Sequence, residues 1–329
     1  MDYWLTLKSL LKLNAGVTPR AFKNQLKVPG LVAKNRPALE LFSSRMVQAL
    51  GANGLQTLGT DCLGVVQWPY VSKRWEAEQR LSAIASHYEV VTQRCPQLLL
   101  SGRDESLKLG DLSEWAAECS LVLDRPKWFM REGELVLNLF QEDLRIASLA
   151  FTLGRTDAGV CLFIGAVQGI HKGVDSDRSL AIYRDLTKAF EGLRPRSLLI
   201  EVIKHLAIRL GVDRLYAVGD EFRHHRHPYF GATKAQELAA NYDVIWLEHG
   251  ATPSDREDFF EIPMAPSIKP LDTIAAKKRA MYRRRYELLE STFNTVDSVL
   301  IGSGAASPTV RTDTQAAVAM PAAVTPNDL

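Results

Sequence analysis

Three features of this sequence predict an α+β protein: a mixed, mainly antiparallel sheet flanked by helices, preceded by a mostly helical N-terminal half. Residues 133–167 carry three strand-like apolar runs separated by short turn or polar pieces, the pattern of an antiparallel meander. Two helix-like runs, 179–190 and 195–210, then lead to a further strand at 215–218. Before residue 121, apolar residues recur mainly at helical spacing. The expected organisation is a mostly helical region over 1–120, an α+β core over 121–300 that ends in a basic helix, and a disordered tail over 301–329, where Ala, Thr, Pro, Ser and Val replace large side chains.

Taken in order, Trp4, Leu5, Leu7, Leu10, Leu11 and Leu13 form a short amphipathic stretch that runs into a basic segment with Arg20, Lys23, Lys27 and Lys34. A peripheral helix is expected there. Residues 38–50 are again helical in pattern and stop before the Gly51-Ala52-Asn53-Gly54 turn. Residues 65–70 read as a strand or extended piece stopped by Pro69, and 75–88 as a helix. The three meander strands fall at 133–140, 146–153 and 160–167. The third is apolar on both faces and is therefore expected to be central. Past residue 218 come a polar, histidine-rich stretch (220–229), a helix (233–241), a strand (242–247), a loop (248–256) and a short strand (259–262) stopped by Pro263 and Pro266. A final helix spans 271–293.

The run after Leu193 has unusual ends. Leu198, Leu199, Val202, Ile203, Leu206, Ala207 and Leu210 share one helical face. Pro195 suits the first helical position and Gly211 the left-handed residue beyond the end. The N-cap position falls on Arg194, which has no side-chain acceptor for the amides of the first turn. Water or an anion must serve them. A phosphate there would meet those amides, including that of Ser197, the positive end of the helix dipole, and the guanidinium groups of Arg194 and Arg196. The plainer reading is a solvated helix start with two surface arginines.

With 329 residues, 46% hydrophobic and 24% charged, the chain is neither a miniprotein nor a disordered polypeptide. A formal charge of +2 argues by itself for neither nucleic acid nor membrane. Cys62, Cys95, Cys119 and Cys161 are scattered without a CxxC pair, which suits a reducing cytosol. No leader peptide is read at the N-terminus and no apolar run approaches membrane-spanning length, so a cytoplasmic protein is expected. GxGxxG, Walker, GxSxG, HExxH and zinc-finger spacings are all absent from the sequence.

Two clusters carry chemistry. His224, His225 and His227 stand beside Arg223 and Arg226, and read as a metal site, as a catalytic or ligand-binding histidine, or as a solvated loop. A strand would put His225 and His227 on one side and His224 on the other, and the arginines repel a cation, so no metal is expected. His227, restricted by Pro228, is the preferred general base. The second cluster is Lys277, Lys278, Arg279, Arg283, Arg284 and Arg285 on the last helix. It reads as a solvated face, or as a contact for a nucleotide-like cofactor, transfer RNA or lipid phosphates.

Several segments together resemble the VirK/YbjX family of proteobacterial proteins: Gly133-Glu134-Leu135, Val167-Gln168-Gly169, Thr187-Lys188, Gly192-Leu193-Arg194-Pro195-Arg196, Tyr242-Asp243 with Trp246, and the run from Lys277 to Tyr286. The resemblance covers roughly residues 35–295. The family often has lysine where this chain has Arg196. It is linked to virulence, surface-protein display and antimicrobial-peptide resistance, without an agreed activity. The order of elements is also similar to the core of the GNAT-type acyltransferases, which hold the coenzyme A pyrophosphate at a helix start. Here an additional helix, 179–190, intervenes, and the turn is Gly-Leu-Arg-Pro-Arg rather than glycine-rich. This analogy implies an acyltransferase-like enzyme whose donor is acyl-coenzyme A or aminoacyl-tRNA. Gln168, Gly169, Arg194, Arg196 and Ser197 would hold the donor, and His227 or Glu248 would act as base. The rival expectation is a non-enzymatic accessory protein that binds anionic envelope lipid or a protein partner.

Overall fold

A computed structural model gives the fold and describes residues 3–15, 19–100, 102, 105–125, 129–171, 173–231, 240–301 and 309–310. Helices α1 (Tyr3–Leu13), α2 (Pro19–Lys34), α3 (Arg36–Leu50), α4 (Gly54–Leu58) and α5 (Ala77–Arg94) come first, as the helical spacing of the N-terminal half predicts. The strands then follow: β1 (Glu105–Asp111), β2 (Cys119–Asp124), β3 (Leu135–Gln141), β4 (Leu144–Thr156) and β5 (Gly159–Gln168). Helices α6 (Ser176–Ala189) and α7 (Pro195–Arg209) lead to β6 (Arg214–Val218). After it come α8 (Tyr242–Glu248), β7 (Thr252–Pro253), β8 (Phe259–Glu261), α9 (Ala276–Ile301) and β9 (Thr309–Val310).

The strands form one sheet in the order β7-β8-β6-β5-β4-β3-β2-β1-β9. Neighbours are antiparallel except β5 and β6, which run parallel from Cys161↔Arg214 to Ile164↔Ala217. Parallel strands need a crossover, and α6 with α7 supplies it. The centre of β4 and nearly all of β5 are buried, since α5 and α7 both pack on β4. This is the doubly covered arrangement that the apolar 160–167 run predicts. Helix α9 packs against α7 and β1. Among the described residues no helix is long and apolar enough to cross a membrane.

Two predicted strands are not strands. Residues 65–70 begin inside a 3-10 helix, Thr60–Val66, and the Trp68 ring folds over Gly64, where a Cβ would meet it at 1.9 Å. The carbonyls of Val65 and Trp68 accept from Arg80 Nη1 at 3.2 and 3.1 Å, so the segment needs no ladder. Residues 242–247 are α8: the Asn241 side chain caps the Val244 amide, and Tyr242 and Trp246, one turn apart, are buried while Val244 and Leu247 face out. Burial there follows helical rather than alternating spacing. The last helix runs over 276–301, later than the expected 271–293. β1 precedes the point at which the pattern turns strand-like, because Lys108 and Gly110 interrupt its short apolar set. The expected helix at 233–241 lies largely outside the described residues, as does the 301–329 tail apart from Ile301, which ends α9, and Thr309–Val310, which pair with β1.

Candidate active site at the carboxyl ends of β5 and β6

Ligand sites in open sheets tend to lie beyond the carboxyl ends of parallel strands. Here β5 ends at Gln168-Gly169 and β6 leads into the histidine-rich stretch, while the start of α7 lies at the same end. A Cβ on Gly169 would lie 2.8 Å from Arg196 Nη2 and 2.4 Å from the Tyr183 hydroxyl, so only glycine lets these groups approach the strand end. Two of the predicted donor-binding positions, Gly169 and Arg196, therefore meet. The first turn of α7 has no side-chain cap, as the sequence predicts, and Arg196 Nε is buried without a hydrogen-bond partner. Ser197 occupies the same turn.

Opposite Gln168 lies a residue that the sequence pattern does not mark. Glu132 is carried on a loop that crosses β5 at Gly165, where a Cβ would sit 1.9 Å from the Glu132 carbonyl oxygen. Its carboxyl Oε1 lies 3.5 Å from Gln168 Nε2 and 3.8 Å from Nδ1 of both His224 and His225. A 3-10 turn at His224–Arg226 brings the two imidazoles together, tilted by 41° at a centroid distance of 3.8 Å, which corrects the opposite-sided placement expected of a strand. Val71 anchors the Arg131 end of this loop. It is buried at φ 56°, a strained conformation for a β-branched residue, with its amide on the Arg131 carbonyl and Ser72 bridged to Arg223.

Burial pushes the Glu132 carboxyl up to about 8, against the partial opposition of Arg223 and Arg131. Burial likewise drives the His224 imidazole well below its ordinary range, helped by His225, Arg131 and Arg223. At neutral pH the pair is thus a protonated carboxyl beside a neutral imidazole. Strongly shifted groups of this kind collect at functional sites. Glu132, His224 and His225 also form a group of potential metal donors among the described residues. The guanidinium groups of Arg131 and Arg223 beside them oppose a cation.

Arg223 pairs with Asp220 at 3.3 Å and lies 3.7 Å over the Tyr242 ring. Tyr242 and Trp246 close the gap where β5 and β6 diverge. The Val167 amide donates to the Tyr242 hydroxyl at 3.1 Å, and the Trp246 indole donates to the Val218 carbonyl at 2.8 Å. Trp246→Phe leaves that carbonyl buried and unpaired, so a loss of about 1–2 kcal/mol is expected in denaturant unfolding.

The other predicted residues are dispersed. Glu248 is exposed and paired with Arg194 at 3.1 Å. His227 uses Nδ1 to accept from the Tyr229 amide at 3.0 Å, and its charged neighbours are Arg80, Glu76 and Lys73 rather than Arg196. On α9, Arg284 pairs with the Glu191 carboxylate, Arg285 donates to the Glu191 carbonyl, and Arg279 donates to the Ile274 carbonyl. These three hold turns together, while Lys277, Lys278 and Arg283 are exposed.

Residues 18–298 match the model of one protein family, described as "Protein of unknown function (DUF535)". The chain belongs to the DUF535 family. It is 28% identical over 232 residues to the "Uncharacterized protein YbjX" of Escherichia coli, an alignment covering 68% of this chain and 67% of that one. Two Haemophilus influenzae proteins, each described as "Uncharacterized protein", are similar at 26% identity (70% of this chain, 73% of theirs) and 28% identity (67% and 71%). The resemblance to the VirK/YbjX family is therefore shown. No solved structure gives a significant match. Membership in the DUF535 family by itself locates no site.

Proposed function

We propose that this DUF535 protein is an acyltransferase-like enzyme that moves an acyl or aminoacyl group from a phosphate-bearing donor to an amine. The carrying observation is that an uncapped helix start with Arg196, the strand end Gln168-Gly169, and a largely buried Glu–His–His cluster all meet at the carboxyl edge of the parallel strand pair. The donor phosphate lies on the first turn of α7, where Arg196 and the free amides, Ser197 among them, receive it. Arg194 reaches it by exchanging its ion pair with Glu248. The amine nitrogen attacks the acyl carbonyl, a C–N bond forms, and the C–S or C–O bond to the donor breaks. The half-buried His225 accepts the amine proton, and Glu132, which burial keeps protonated near neutrality, supplies the proton that the departing sulfur or oxygen takes up. Donors from Gln168 and Arg223 face the charge that develops on the carbonyl oxygen. Because α8 fills the gap between β5 and β6, the acyl arm lies over Gln168-Gly169 rather than between the strands. The order of elements in the sequence resembles the core of the GNAT-type acyltransferases, an analogy that supports the reading. His225 takes the base role that the sequence suggests for His227 or Glu248, and Glu132 adds a general acid beside it.

The test is calorimetric titration of acyl-coenzyme A species and charged transfer RNA. Binding of one donor is expected, weakened about tenfold or more by Arg196→Ala and preserved in Glu132→Gln. If neither donor binds the wild type, the reading fails. The exposure of Lys277, Lys278 and Arg283 supports a second reading, an accessory protein that meets an anionic lipid or a protein partner through α9.

A further inference from the structure

Residues 3–39 contain seven lysines and arginines and no acid, although the whole chain sums to +2, so the remainder is net negative. Helix α2 lies within this stretch and is two-sided. Val28 and Val32 are buried at 1% exposure, whereas Phe22 and Leu26, one turn apart, are 62% and 67% exposed. Gly30 and Ala33 continue the outward apolar line, and Lys27 and Lys34, both exposed, fall on an adjacent line. Lys8 and Lys12 of α1 are exposed as well.

We propose that α2 docks this protein on the surface of a bilayer containing anionic phospholipid, with Phe22 and Leu26 entering the headgroup–acyl boundary and the lysines meeting lipid phosphates. A helix that turns large apolar side chains outward beside an unbroken run of positive charge matches both layers of such an interface. A protein partner would need acidic and apolar chemistry interleaved at the same spacing, whereas an anionic bilayer supplies both at any register. The surface is distinct from α9, where Arg279, Arg284 and Arg285 are engaged within the fold. The inference rests on neither reading of the proposed function.

The test is co-sedimentation of the full chain with vesicles of phosphatidylcholine alone or with about one third phosphatidylglycerol. Binding to the anionic vesicles only is expected, falling steeply as NaCl rises. Phe22→Ser/Leu26→Ser is expected to reduce binding more than tenfold at low salt, and Lys27→Glu/Lys34→Glu by a similar factor. Because these side chains are exposed, both variants should keep the wild-type circular dichroism and thermal transition. Lys277→Glu/Lys278→Glu/Arg283→Glu on α9 should change binding by less than about threefold. Absence of binding, binding indifferent to Phe22→Ser/Leu26→Ser, or loss of binding only in the α9 variant overturns the proposal.

Discussion

Replacing Glu132 by glutamine is expected to flatten the pH dependence of stability on the alkaline side. The native carboxyl titrates near 8 and the unfolded one near 4.5, so between these values the folded chain holds a proton that the unfolded chain has released. Stability from this group is complete below the unfolded value and is lost as pH rises through the folded one. Over pH 5 to 8 the wild type should lose on the order of 3–5 kcal/mol relative to Glu132→Gln. Urea unfolding of both proteins at pH 5 and pH 8 reads the difference directly. Parallel profiles would mean that Arg131 and Arg223 keep the carboxylate ionised in the fold, and the proton-holding role would fall with them.

Lys204→Met should cost roughly 3–5 kcal/mol at pH 7, because it strands a buried carboxylate. Lys204 is 1% exposed and lies 3.1 Å from Glu201 Oε1 and 2.9 Å from the Ser267 hydroxyl. Glu201 also accepts from the Ser267 amide at 3.0 Å and has His249 at 3.8 Å. Burial pushes the Glu201 carboxyl up, but His249, Lys204 and Ser267 together outweigh it and hold the group at about 2. With the folded value depressed, this contribution is present above about 4.5 and fades as pH falls toward 2. The gap between wild type and Lys204→Met should therefore narrow in acid. Lys204→Met/Glu201→Leu should recover at least about half of the loss, since removing both charges leaves no stranded ion. A single-variant cost below about 1 kcal/mol would show that the pair contributes little. The cluster joins α7 to the segment before α9, so it also steadies the helix whose first turn receives the proposed phosphate.

Much of this fold is legible in the residues. The meander, the crossover helices and β6 follow from local apolar spacing, and Pro195 and Gly211 mark the ends of α7 because backbone chemistry acts within a few residues. The uncapped start at Arg194 follows from the same reasoning. The 65–70 and 242–247 segments mislead because short apolar runs have no period long enough to separate strand from helix. Trp68 over Gly64 and the Asn241 cap decide them. The site divides in the same way. Gln168-Gly169 and Arg194–Ser197 are visible as chain features, but Glu132 is not, since nothing around it is periodic and its role comes from Gly165 admitting its loop across β5.

By itself the sequence determined the class and order of most elements, the central position of β5 and the uncapped start of α7, all consequences of neighbours a few bonds apart. Only the tertiary structure decided which ionisable groups meet. His224 and His225 are separated from Glu132 by about ninety residues of chain, and their low-dielectric surroundings, hence their protonation, exist only once β5 and β6 are paired. It likewise decided which of the α9 arginines are consumed in holding the fold. Pairing and burial are long-range, and no local pattern encodes them.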